Sequence, residues 1–141
     1  MYIGIDLGTS GVKAVLLDEN QRIVAATQQS LPISRPHPLW SEQNPEDWWH
    51  AANLAMLALA RQQDLSAVKA IGLTGQMHGA TLLDKQNNVL RPAILWNDGR
   101  SFAECEELEK RVPRSREITG NLMMPGFTAP KLKWVRRHEP D

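Results

Sequence analysis

Cysteine is almost missing from this chain: Cys105 is the only one in 141 residues. No internal disulfide can form, which fits a reducing compartment and leaves apolar burial to hold the core. Cys105 stands near Phe102 and Leu108 at helical spacing and reads as a buried small hydrophobe rather than a nucleophile. An excess of either charge is missing too, since 16 basic and 16 acidic residues cancel to a formal net charge of zero. Without a basic stripe the chain lacks the electrostatic footprint of a nucleic-acid binder, and Arg136-Arg137 is too short a run to supply one. No apolar run reaches the ~18 residues of a membrane span, and no basic segment leads into an apolar one at the start. A cytoplasmic protein with neither nucleic acid nor membrane as partner is expected. His37, His50 and His138 have no partner at metal-ligand spacing, so no structural zinc is expected. Repeats and low-complexity segments are absent. What remains, 42% hydrophobic and 23% charged residues, is the composition of one globular domain or part of a larger one.

The chain begins with strand patterns over 1–6, 11–18 and 22–30, the first two joined by a Gly-Thr-Ser turn and the last two by a polar one. Ile3 and Ile5 alternate, whereas Val15-Leu16-Leu17 is a continuous apolar run that suggests burial on both faces. Three prolines, Pro32, Pro36 and Pro38, turn 31–44 into a loop. Asn44-Pro45-Glu46-Asp47 then carries every helix-start signal: a capping amide, proline at the first position and acids near the positive end of the dipole. Trp48, Ala52, Ala55, Met56 and Leu59 recur at helical spacing, predicting an amphipathic helix over 45–62 with this stripe in the core. A strand over 68–73, a hairpin over 80–83 and 88–90, and a strand over 93–96 follow. Helices are expected over 100–111, with Phe102, Cys105 and Leu108 on one face, briefly over 115–119, and from a Thr128 cap to about 137 with Leu132 and Val135 inward. Strand, helix, strand order makes 45–62 a crossover, hence an α/β domain with a mixed sheet and flanking helices.

Three stretches carry chemistry. In Gly4 to Lys13 a short apolar run delivers Asp6, after which Gly8 and Gly11 bracket two hydroxyls, Thr9 and Ser10, and Lys13 follows. Such a turn can close around an anion with its amides and hydroxyls, with Asp6 toward the Mg²⁺ that accompanies nucleotide phosphates. Mg²⁺ keeps most of its waters, so one acid suffices. An ordinary hairpin turn has the same composition, and a Walker A loop is excluded because it ends in Gly-Lys-Ser/Thr. Gly75-Gln76-Met77-His78-Gly79 follows a strand end, where α/β proteins place ligands, with glycines flanking three polar or polarisable tips. A glycine-bounded bend is the plainer reading. Trp96-Asn97-Asp98-Gly99-Arg100 combines an aromatic platform with an amide, an acid and a guanidinium, suited to a polyhydroxylated ligand. Asp98 also serves as a possible cap for the helix that begins near Arg100.

Asp6-Leu7-Gly8-Thr9-Ser10 with Lys13 resembles the first phosphate motif shared by actin-like ATPases, sugar kinases and heat-shock chaperones. Gly75 to Gly79, Ile94 to Arg100, and Gly120-Asn121 through Phe127 to Trp134 are more specific. In this order they resemble the amino-terminal part of the FGGY carbohydrate kinases, most of all those acting on D-xylulose, over essentially the whole chain. The resemblance implies a ribonuclease-H-like, actin-like ATPase fold and ATP-dependent phosphorylation of the sugar's terminal hydroxyl in a cleft between two such domains. Asp6 would then act through Mg²⁺-bound water, with Gly8, Thr9, Ser10 and Lys13 by the β- and γ-phosphates of ATP. Met77 and His78 would contact the sugar, and Gln76, Trp96, Asn97, Asp98 and Arg100 would shape or support that pocket. Glycerol kinases of the family carry arginine and glutamate where Met77 and His78 stand, and tyrosine at the position of Gly126, which implies a longer polyol here.

The family's catalytic aspartate, second phosphate loop and adenosine pocket lie beyond the matched region. Residues 1–141 are therefore expected to be an amino-terminal kinase domain truncated before that aspartate and the carboxy-terminal domain, inactive alone and prone to self-association through exposed edges. The alternatives are an actin-like or chaperone-like ATPase segment, and a non-catalytic interaction module or gene remnant.

Overall fold

The computed structural model describes residues 1–140. In chain order the elements are β1 (Tyr2–Leu7), β2 (Gly11–Leu17), β3 (Ile23–Ser30), β4 (Glu42–Gln43), α1 (Pro45–Gln62), β5 (Ala70–Gly75), β6 (Ala93–Ile94), α2 (Phe102–Arg111), α3 (Ser115–Thr119) and α4 (Thr128–His138). They fall into two compact units, residues 1–33 with 44–76, and residues 34–43 with the chain from Met77 onward. Among the described residues no helix is long and apolar enough to cross a membrane.

The first unit is a mixed sheet in the order β3-β2-β1-β5. β1 pairs antiparallel with β2 and parallel with β5, the latter in the register Asp6↔Thr74 and Leu7↔Gly75. Alternation turns Ile3, Ile5 and Leu7, with Val12, Ala14 and Leu16, onto one face, where Ala51, Ala55 and Leu59 of α1 meet them. Val15 and Leu17 are only half-buried, so the apolar run of β2 has one fully covered face and not two. α1 has the expected bounds: Asn44 Oδ1 accepts from the Glu46 amide at 3.2 Å, and Glu46 and Asp47 lie in its first turn. Thr27 Oγ1 of β3 donates to the Ala55 carbonyl at 2.9 Å, tying sheet to helix. Gly11 is required by packing, since a Cβ there would stand 2.5 Å from the Gln29 carbonyl oxygen.

In the second unit β4 pairs antiparallel with β6. The expected hairpin over 80–90 is reduced to one bridge, Leu83↔Val89, while Ala80 pairs with Ile94 instead. Asp84 closes the turn: its amide donates to the Asn88 carbonyl at 3.0 Å, and its carboxylate accepts from the amides of Gln86 and Asn88 at 2.8 Å each. The buried face of α2 also differs from expectation. Phe102 is 66% exposed, Leu108 half-buried, and Glu104 lies inside beside Cys105. Ion pairs across to α4 set that face: Glu104 meets Arg137 at 3.0 Å, and Glu107 pairs with Lys133 and Arg137. In α4 the cap is Phe127, Thr128 is already helical, and the buried residues are Pro130, Lys131 and Trp134. Leu132 faces out, whereas Val135 packs, half-buried, on the cluster of Ala80, Ile94 and Trp134.

Candidate functional site

The first unit brings its chemistry to one sheet edge because parallel pairing sets the carboxyl ends of β1 and β5 side by side. Between β1 and β2 the turn is closed by the Gly8 amide donating to the Gly11 carbonyl at 3.0 Å, and the Ser10 carbonyl accepts from the Leu31 amide at 3.0 Å. A Cβ at Gly8 would come within 3.2 Å of the Gly11 oxygen and 3.9 Å of Asp6 Oδ2, so glycine keeps the space between carboxylate and turn open. Asp6 and Lys13 are register partners on one face of the sheet, and both, with Ser10, are exposed. Thr9 Oγ1 donates to Gln76 Oε1 at 3.0 Å, and the Gln76 amide donates to the Leu7 carbonyl at 2.8 Å. Gln76, grouped by sequence with Met77 and His78, is therefore bonded to the turn. A residue directly after a strand parallel to β1 must lie beside whatever follows β1, and that parallel pairing is the signal a linear reading does not contain.

The second unit holds the remaining candidates, and they divide by exposure. Met77 at 66% and Trp96 at 49% face solvent, as do His78 and Asn97. His78 occupies the left-handed region, φ 60°, with its ring tilted against Phe127 at 4.9 Å between centroids. The ring borders a cavity of about 320 Å³ that Thr119, Asn121, Leu122, Met123 and Phe127 also line. Asn97 borders another, of about 460 Å³, against the loop Arg35 to Ser41. Gly126 lets the backbone close on this region, because a Cβ there would lie 2.5 Å from the Trp96 carbonyl oxygen.

Asp98 and Arg100 point inward. Asp98 Oδ1 accepts from the Arg100 amide and Nε at 2.9 Å each, and Oδ2 accepts from the Ser41 amide at 2.6 Å and Arg100 Nη2 at 2.8 Å. Arg100 also meets Glu42 at 2.7 Å and stacks 3.7 Å above the Trp40 ring. Arg91 joins the network at the same Glu42 oxygen, Oε1, that Arg100 meets. These bonds anchor the backbone that presents Trp96 and Asn97, so the two buried residues support a surface rather than form it. Trp40, Glu42, Arg91 and Lys131 escaped the sequence reading. Two arginines bracketing the apolar stretch 93–95 were a signal for buried pairing; nothing local marked Lys131. Lys131 is fully buried, its Nζ donates to the His78 carbonyl at 2.7 Å, and burial pushes its ammonium down to about 8, the Asp98 charge opposing and Arg100 reinforcing the shift. Burial likewise raises the Cys105 thiol, whose Sγ donates to the Ser101 carbonyl, consistent with an inert core residue.

One unit thus offers an acid, a glycine-opened turn, hydroxyls and an amine suited to phosphate with Mg²⁺. The other offers exposed aromatic, imidazole, thioether and amide groups suited to a hydroxylated ligand. Relatives share the whole stretch. The xylulose kinase of Escherichia coli K12 is 70% identical over 141 residues, all of this chain and 29% of that protein. The xylulose kinase of Klebsiella pneumoniae is 67% identical over 139 residues, 99% of this chain and again 29% of the relative. The crystal structure of a xyloylose kinase from Brucella ovis superposes with a TM-score of 0.94 at 58% identity, covering 99% of this chain and 30% of that one. The chain thus spans under a third of the length of these relatives, and it shares their ribonuclease-H-like arrangement of a mixed sheet with flanking helices. The model of the N-terminal domain of the FGGY family matches residues 1–141, and the chain therefore belongs to the FGGY family of carbohydrate kinases.

Proposed function

We propose that the chain supplies the phosphate-holding turn and the sugar-recognising loops of a kinase that transfers a phosphoryl group from ATP to the terminal hydroxyl of D-xylulose or a similar pentulose, giving D-xylulose 5-phosphate. The observation that carries the reading is the sheet edge where Asp6, the Gly8–Gly11 turn and Gln76 meet, with Thr9 bonded to Gln76. The residues fit a bound metal: Asp6 is exposed at a strand end and Gly8 leaves the space beside it clear. Among the described residues no group of three or more His, Cys, Asp or Glu could hold a metal ion; Mg²⁺ keeps most of its waters and takes only one or two carboxylates. Mg²⁺, when bound, neutralises charge on the β- and γ-phosphates. Asp6 would hold it through water, Thr9 and Ser10 would donate to phosphate oxygens, Gly8, whose amide closes the turn on the Gly11 carbonyl, would leave room for them, and Lys13 would add a positive charge. Met77 and His78 would contact the sugar, with Trp96 and Asn97 shaping its surroundings and Asp98 and Arg100 fixing them in place.

The general base is assigned to none of these residues. The relatives are over three times as long as the stretch they share with this chain, and the family resemblance puts the catalytic aspartate beyond it. Residues 1–141 therefore act as the amino-terminal binding part of a larger kinase, inactive alone. In a coupled assay the purified chain should convert ATP to ADP no faster with D-xylulose than without. D-xylulose should shift the resonances of Met77, His78, Trp96 and Asn97, and Mg·ADP those of Gly8, Thr9 and Ser10. Xylulose-dependent turnover would overturn the assignment of the base, and an unperturbed His78 at saturating sugar would overturn the sugar site.

A further inference from the structure

Lys131 is fully buried, yet it forms no ion pair among those of the described residues. The carboxylate that acts on it electrostatically is Asp98, whose oxygens are engaged by Ser41 and Arg100, and the Arg100 cation acts on it in the opposite sense. An ammonium in such a place carries a desolvation cost that a leucine or methionine of similar volume would avoid. What it gains is one short bond, 2.7 Å, to the carbonyl oxygen of His78. That carbonyl belongs to a residue with φ 60°, a left-handed conformation that a non-glycine residue keeps only when its surroundings impose it. The next residue, Gly79, has nothing within 4 Å of the place a Cβ would occupy, so no steric wall on that side holds the bend. On the side-chain end the His78 ring rests against Phe127, four residues before Lys131 and just ahead of α4.

We propose that Lys131 is a positioning residue: its buried amino group, by donating to the His78 carbonyl, holds His78 in the left-handed conformation that sets the imidazole against Phe127 at the mouth of the cavity. The consequence for sugar recognition rests on the reading that His78 contacts the sugar; the conformational statement does not. α4 thereby fixes residues 77–79 through a bond that neither element makes by itself.

The test uses the isotope-labelled 141-residue chain with Lys131→Met and Lys131→Arg. In the wild type His78 should give the strong intraresidue amide-to-Hα cross-peak of positive φ. Lys131→Met should lose that cross-peak while the Leu59 and Trp134 signals stay dispersed, and Lys131→Arg, which keeps a donor, should restore it at least in part. A second measurement needs no variant: on raising pH, the Lys131 Cε signal should titrate near 8, and the Gly79 amide, across the peptide bond from the His78 carbonyl, should follow with the same midpoint. If Lys131→Met folds and leaves the His78 cross-peak unchanged, or if the Gly79 amide ignores the Lys131 titration, the proposal is overturned. D-xylulose binding should weaken by about tenfold in Lys131→Met. Should the wild type bind no xylulose while the His78 conformation still follows Lys131, the positioning role stands and only the sugar reading fails.

Discussion

Single residues in this chain are decided by what their nearest backbone neighbour allows. Gly126 and Gly79 make the contrast plain: a Cβ at 126 would meet the Trp96 carbonyl oxygen at 2.5 Å, whereas one at 79 meets nothing within 4 Å. Gly126→Ala must push backbone against backbone, and we expect a loss of about 1–3 kcal/mol in stability by urea titration. Gly79→Ala should stay within about 0.5 kcal/mol of the wild type. Equal midpoints for the two variants would contradict the close approach of residues 96 and 126. Any larger side chain at position 126 would likewise need the Trp96 segment displaced, so glycine here goes with the observed placement of the exposed indole.

At the scale of elements, α2 and α4 are paired through charged side chains. Glu107 is held below the usual carboxylate range first by the side-chain bonds from Lys133 and Arg137, with burial working weakly against them. A carboxylate depressed in the folded state stabilises above its unfolded pKa, and that contribution is lost as pH falls through the folded value. Arg137→Ala removes a partner from both Glu104 and Glu107. It should lower stability near neutral pH and flatten the decline on acidification, because part of what acid removes is already gone. Thermal unfolding of both proteins from neutral pH down through the carboxylate range checks this; parallel curves would refute it. High salt should narrow the neutral-pH difference, since Arg137 and Glu107 are partly exposed.

For the molecule as a whole, β5 is the element with most left uncovered. It ends the order β3-β2-β1-β5, and all six of its residues are exposed, Ile71 at 54% and Leu73 at 79%. An open apolar edge is a template for another strand. We expect the 141-residue chain to sediment above monomer mass as concentration rises, and Leu73→Lys to reverse this; a monomer at every concentration would refute it.

What the sequence by itself determined is what depends on neighbours within a turn or two. The bounds of α1 follow from Asn44, Pro45, Glu46 and Asp47 with a stripe of helical period, and the turn of Gly8 to Gly11 follows from its composition. The stretches proposed to hold phosphate and sugar stood out for the same reason, as short contiguous motifs. Only tertiary structure decided that Asp98 turns inward to Ser41, 57 residues away, that Lys131 reaches His78 across 53, and that Glu104 rather than Phe102 lies inside. A carboxylate or an ammonium can be buried only where a distant partner meets it. No local pattern of residues carries that information.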